Sequence, residues 1–189
     1  MGFAKRPVVI QQSKEREMSI LRHLHTLTRY TAWTNDLLYA RLAALPEQEL
    51  LAPRPIRFGN ILRTLNHVYL MDVVWQAHLQ GVPHHLTTRN PETAPPFGQL
   101  HEAQRQMDAW YVSYADALTA EKGDEVVHFT FIGGGNGAMR REDIVLHAVN
   151  HTTYHRGHIA GMLYQIPVEP PTTDLSVFLR DECGRHSSL

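Results

Sequence analysis

The chain has one cysteine, Cys183, in 189 residues. A lone thiol excludes a disulfide framework and any zinc site built from cysteines, and it fits a reducing compartment. It lies in the polar stretch Glu182-Cys183-Gly184-Arg185-His186 and reads as incidental. An excess of one charge is also missing: 18 Lys and Arg stand against 19 Asp and Glu, a formal net charge of -1. A phosphate-binding surface shows as a basic excess, so no nucleic-acid partner is expected. No apolar run approaches the roughly 18 to 20 residues a membrane span needs. The short Val8-Val9-Ile10 run stops at Gln11 and Gln12, too early for a signal peptide. The expectation is a cytoplasmic protein with no membrane partner.

Several catalytic signatures are absent as well. Gly133-Gly134-Gly135-Asn136-Gly137 lacks the Gly-Lys-Ser/Thr ending of a phosphate loop and reads as a turn. There is no Gly-x-Ser-x-Gly elbow. His101-Glu102 is followed by Arg105 where a His-Glu-x-x-His helix needs its second histidine. A carboxylate di-iron bundle needs Glu-x-x-His on two helices. The one match, Glu125-Val126-Val127-His128, falls in a predicted strand. Any metal site here is therefore expected to be mononuclear.

Thirteen histidines are what the chain does have, and no run of them exceeds His84-His85. Their meaning depends on the elements that carry them. Residues 1–17 read as an extension, residues 18–180 as the domain and residues 181–189 as a tail. From Met18, the residues Ile20, Leu24, Leu27, Thr31, Thr34, Leu38, Leu42 and Leu45 recur at helical spacing until Pro46. A second helix is predicted from Phe58 to Gln80, stopped by Gly81. A third runs from Gln99 to Lys122, closed by Gly123. The β-branched and aromatic run from Val126 to Ile132, followed by glycines, predicts a hairpin. A fourth long helix covers Arg141 to Gln165, and Asp174 to Arg180 form a short last one. The fold class is all-α, a four-helix bundle with a small β-hairpin before the last long helix.

The fourth helix has an inward seam of Ile144, Ala148, His151, His155, His158 and Met162. At about 100° per residue, His147, His151, His155 and His158 fall within an arc of about 80°. Buried imidazoles without hydrogen-bond partners are costly, on the order of 1–3 kcal/mol each. A cation removes that cost, because two histidines at i and i+4 stand one above the other and can grip a single ion. The best candidate for a third ligand is His67, in step with Thr64, Met71 and Val74 on the second helix. Asp72, on the adjoining apolar face, needs a partner, either as acceptor for a ligand's N–H or with an arginine. Thr31 and Thr34, with Tyr111 and Tyr114 between Met107 and Leu118, suggest a wet cavity at mid-bundle height.

Three segments carry a resemblance. They are Tyr30-Thr31-Ala32-Trp33-Thr34-Asn35, Phe58-Gly59-Asn60-Ile61-Leu62-Arg63-Thr64-Leu65-Asn66-His67, and above all Val149-Asn150-His151-Thr152-Thr153-Tyr154-His155-Arg156-Gly157. From about Met18 to Arg180 the chain resembles the DinB/YfiT-like, damage-inducible family of metal-dependent enzymes, which is distinct from the DNA polymerase of similar name. The resemblance implies up-down-down-up connectivity, a homodimer, a stress-response setting and a three-histidine site matching His67, His151 and His155. In that family the site usually holds zinc or nickel. Some relatives transfer or isomerise with low-molecular-weight thiols. Where the family often has Gln after His-Arg-Gly, His158 stands here, which would make it a fourth ligand or a proton carrier.

Three readings follow, one of them a dimeric bundle with satisfied core histidines and no metal; the other two are functional. One is a metal-dependent enzyme whose small-molecule substrate involves a low-molecular-weight thiol, a thiol-dependent transferase or a hydrolase. The other is a metal-stabilised stress or interaction protein without turnover.

Overall fold

The computed structural model describes the backbone of residues 6–183 and the side chains of residues 20–182. In chain order the elements are α1 (Arg6–Ala43), α2 (Glu47–Leu51), α3 (Ile61–Gln80), α4 (Phe97–Ala117) and α5 (Ala120–Asp124). The hairpin strands β1 (Val126–Thr130) and β2 (Asn136–Arg140) follow, then α6 (Arg141–Leu163) and α7 (Leu175–Phe178). A π-helical turn, Leu179–Cys183, continues α7. The expected four long helices and hairpin are present. Among the described residues, no helix is long and apolar enough to cross a membrane.

The helix ends follow local chemistry. The side chain of Asn60 caps α3 by accepting from the Arg63 N–H. Gly81, in the left-handed region at φ 71°, closes it by donating to the carbonyls of Ala77 and His78. Two expected boundaries shift. Helix backbone begins at Arg6 rather than Met18, with Pro7 in the first turn, where its missing N–H is harmless. The first five residues of the expected extension and residues 184–189 of the expected tail lie outside the described residues. The third long helix ends at Ala117, not Lys122. Leu118 turns extended and buries its side chain, and Thr119 starts α5 by accepting from the Lys122 N–H.

The apolar core forms two plugs. One holds Leu24, Leu79, Leu118 and Ile144; the other holds Leu42, Ile61, Leu100 and Leu163. These place the middle of α1 and the start of α6 beside the ends of α3 and α4, and the ends of α1 and α6 beside the starts of α3 and α4 at the other plug. The bundle is therefore up-down-down-up, with α1 and α6 running one way and α3 and α4 the other. Cross-links agree with this. Asn35 of α1 meets Asp108 of α4, and Arg141 at the start of α6 donates to the Leu79 carbonyl at the end of α3. Arg141 thus ties the start of α6 to the end of α3. It also bonds Glu125 and Tyr114, pinning the hairpin's base to two helices.

The hairpin pairs Val126 with Arg140 through to Thr130 with Asn136. Gly133, Gly134 and Gly135 all lie in the left-handed region, with φ between 90° and 98°. The glycine run is the turn the sequence predicts, since side chains rarely adopt that conformation.

Between the two plugs lies a polar waist, with Thr34, Asn35, His67, Asp72, Gln104, Asp108, His155 and Arg156 all buried. Each needs a partner inside the bundle. The expected wet cavity is not a single space. Thr34 accepts from Arg156, Tyr111 donates to the Asp72 carbonyl and Tyr114 accepts from Arg141. Two voids of ≈ 10 Å³ each lie there, one lined by Thr31, Asp72 and Tyr111, the other by Asn35, Gln104 and Arg156. Each has room for about one water.

Candidate metal centre

Helix α3 offers His67 and α6 offers His151 and His155, one turn apart on the same seam. The two helices pack antiparallel, so the middle of one faces the middle of the other. The three side chains converge, with one ligand nitrogen from each lying within 4.8 Å of the others. His67 Nε2 and His151 Nε2 stand 3.2 Å apart. Two nitrogens about 2.0–2.1 Å from one tetrahedral ion stand roughly 3.3–3.4 Å apart. The observed spacing suits a shared cation.

Hydrogen bonds fix which nitrogens face the cluster. His67 Nδ1 lies 2.8 Å from the Arg89 carbonyl, an acceptor only, so Nδ1 carries the proton and Nε2 holds a lone pair. His155 Nδ1 lies 3.3 Å from His158 Nδ1, leaving Nε2 for the cluster. His151 Nδ1 is buried with no partner. If His151 donates from Nε2 to His67, its Nδ1 lone pair is stranded. If it carries its proton on Nδ1, that donor is stranded and two lone pairs face each other. In the second tautomer a cation between the Nε2 atoms would relieve the facing lone pairs.

The site also holds its histidines neutral. Burial first, then the neighbouring His155, His67 and His147, push the His151 pKa down to about 3. Burial, then His67, His158 and Arg57, bring His155 down to about 4. Burial lowers His67 as well, with the Arg89 hydrogen bond opposing and the charges of Arg89 and Arg57 assisting. A neutral imidazole is the form that ligates a metal.

The other expected residues sit elsewhere. His158 is outside the cluster and stands behind His155, on its far nitrogen. That position does not suit a fourth ligand, because the His155 ring lies between. His147 continues the seam, 4.8 Å from the Trp75 ring centroid and 6.0 Å from that of His151. Asp72 meets neither a ligand N–H nor an arginine. It accepts from Gln104 Nε2 at 3.0 Å, because α4 supplies an amide to its face of α3.

Two contributors were not read from the sequence as site residues. Phe58, buried in the α2–α3 connection, stacks on His67 at 4.2 Å between centroids and lies 5.4 Å from His155. Arg89 acts through its backbone carbonyl, which no side-chain pattern reports. Among the described residues, no fourth His, Cys, Asp or Glu joins the three.

The DinB family model matches residues 18–185. The chain is also similar to Protein DinB of Bacillus subtilis (strain 168), at 27% identity over 166 residues, covering 81% of this chain and 91% of that protein. By this match, which spans most of its length, the chain belongs to the DinB family.

Proposed function

We propose that His67, His151 and His155 hold one divalent ion, zinc or nickel, and that the protein is a metal-dependent enzyme acting on a thiol-bearing small molecule. The observation that carries the metal reading is the pair of Nε2 atoms 3.2 Å apart, with the other nitrogen of His151 buried and unmet. Imidazole ligands suit zinc and nickel alike, so donor chemistry does not choose between them. A divalent ion there supplies Lewis acidity, which lowers the pKa of a thiol or water that reaches it. The chain's own residues do the positioning. The Arg89 carbonyl fixes the tautomer of His67, Phe58 packs against its ring, and His158 braces His155. Three protein ligands leave room for a fourth from a substrate, as catalytic rather than structural sites do.

Elemental analysis of protein purified without added metal is expected to find about one ion per chain. His155→Ala should bring that close to zero; unchanged metal content in the variant would remove the assignment. Turnover is separable from a structural role. A panel of thiols with electrophiles should show consumption that disappears in His155→Ala, whereas a protein that binds metal and consumes nothing would have a stabilising metal only.

A further inference from the structure

The rim of the histidine cluster is basic and lacks a counter-charge. Arg57 sits in the α2–α3 connection with its guanidinium carbon 5.8 Å from the centroid of Phe58, the ring stacked on His67. Its charge reaches both His67 and His155. Arg89, on the α3–α4 loop, holds His67 by its carbonyl while its own charge reaches the same ring. Arg63 lies one turn before His67 on α3, and its Nε is buried without an acceptor.

None of these three makes an ion pair among the described residues, and Glu92, three residues from Arg89, pairs with neither it nor Arg57. Arg54, in the same connection as Arg57, shows the alternative, since it is satisfied by Glu49 at 2.6 Å. The hydrogen bonds and ring contacts of the three clustered histidines go to a carbonyl, to aromatic rings or to other histidines, never to a carboxylate. A dication added among neutral imidazoles, beside two exposed guanidinium groups, leaves a strongly positive pocket. A bound anion is what such a pocket selects.

We propose that the small molecule reaching this metal carries an oxyanion, a carboxylate or its phosphate or sulfonate equivalent, and that Arg57 and Arg89 receive it. The proposal rests on the metal reading above and adds the substrate's charge. The two arginines sit on separate connections, before and after α3, and both charges act on His67, so a ligand atom at the histidine cluster and an anionic group a few bonds away can be held together.

Cobalt(II)-loaded protein tests this, because thiolate binding changes its visible spectrum. The probes are 3-mercaptopropionate and 2-mercaptoethanol, of similar size and differing in charge, titrated at fixed ionic strength. The carboxylate thiol is expected to bind on the order of tenfold more tightly. In Arg57→Gln/Arg89→Gln that preference should fall to about onefold, with cobalt content and 2-mercaptoethanol affinity retained. The Arg89 substitution keeps the carbonyl that holds His67. Equal affinity for the two thiols in the unaltered protein overturns the proposal, as does a preference that survives the double variant, or a loaded protein whose spectrum neither thiol changes. Failure to take up cobalt sinks the metal assignment and this proposal with it. Uptake without charge preference sinks the proposal alone.

Discussion

Helix α3 sends His67 into one buried polar group and Asp72, five residues on, into another, and the two groups are built on opposite principles. The histidine group gathers neutral rings whose lone pairs converge, and one nitrogen of His151 is left unmet. The carboxylate group gathers acids and feeds them amide donors. Asn35 Nδ2 reaches both oxygens of Asp108 at 3.0 and 2.9 Å, and Gln104 Nε2 bridges Asp72 and Asp108. Its unmet atoms are Gln104 Oε1 and the Tyr39 hydroxyl. Both groups are short of positive charge, and what can supply it differs. Three nitrogens within reach of one another suit a metal. Two carboxyl groups bridged by an amide suit a proton: burial, against the opposing bonds from Asn35 and Gln104, raises Asp108 to about 7.

The largest expected effect comes from emptying the first group. A ligand held at about 100 times its dissociation constant contributes about 2.7 kcal/mol to stability. For a chain of this size each kcal/mol moves the melting midpoint by about 2–4 °C. Treatment with a strong chelator should therefore lower the Tm by roughly 5–10 °C, recoverable with added zinc. Asp108→Asn should show the same chelation shift, since it alters only the second group. A melting curve indifferent to chelator would mean the histidines are satisfied by each other, and the contrast would fail.

A pH series on chelated protein should show the two groups pulling in opposite directions. His151 and His155 have folded pKa values near 3 and 4, below the ordinary 6.5. Their contribution is complete above pH 6.5 and is lost as pH falls toward those values, because the unfolded chain takes protons the folded one refuses. Asp108 has the reverse sign. Its folded value of about 7 exceeds the ordinary 3.8, so its contribution is complete below pH 3.8 and lost as pH rises toward 7. The groups acting on it are Asn35 and Asp36 from α1 and Gln104 from α4. It acts in turn on Asp72 of α3, on Tyr39 of α1 and on Tyr111 of its own helix, while Arg156 of α6 lines the void beside Asn35 and Gln104. The two slopes oppose between about pH 4 and 6.5. In Asp108→Asn one of the opposing slopes is removed, leaving that of Asp72, whose carboxyl is also held above the usual range by burial. Urea midpoints measured at pH 6.5 and 4.5 should then diverge further than in the unaltered protein, by up to about 1.4 kcal/mol per pH unit. Equal slopes in the two proteins would show that Asp108 stays ionised.

This asymmetry also explains what the sequence could reveal. Three histidines at successive core positions of one helix break the apolar periodicity, and that break is visible without a structure. His67 is a single interruption in another helix, so pattern alone made it only the best candidate, and the family segments carried the assignment. The carboxylate group was half legible. Asp72 was conspicuous on an apolar face, but its partner Gln104 is an ordinary helix residue one element away, and nothing in sequence pairs them. Arg89 was invisible, because its role is a carbonyl on a loop. The fold was read in its elements and their order. The break at Leu118 was missed because Asp116 to Lys122 is as helix-compatible in composition as what precedes it, and only burial of the leucine decides.

The smallest effect tests whether burial, rather than polarity, sets the difference between polar contacts. The pair of helices that joins Asn35 to Asp108 also joins Arg29 to Asp116, through two hydrogen bonds of 2.8 and 2.7 Å. By distance and formal charge this second pair is the better one, but its side chains are 46% and 42% exposed, whereas Asp108 is 7% exposed. Water solvates both partners of an exposed pair once it is broken, so Asp116→Asn should cost less than about 1 kcal/mol, a Tm change of a few degrees at most. Raising the salt concentration should shrink the difference further, through screening. Asn35→Ala removes a neutral partner and leaves Asp108 buried with one amide donor where it had two residues' worth, so it should cost more despite breaking no ion pair. If Asp116→Asn proves the more damaging of the two, the order of importance assigned to the polar waist is wrong.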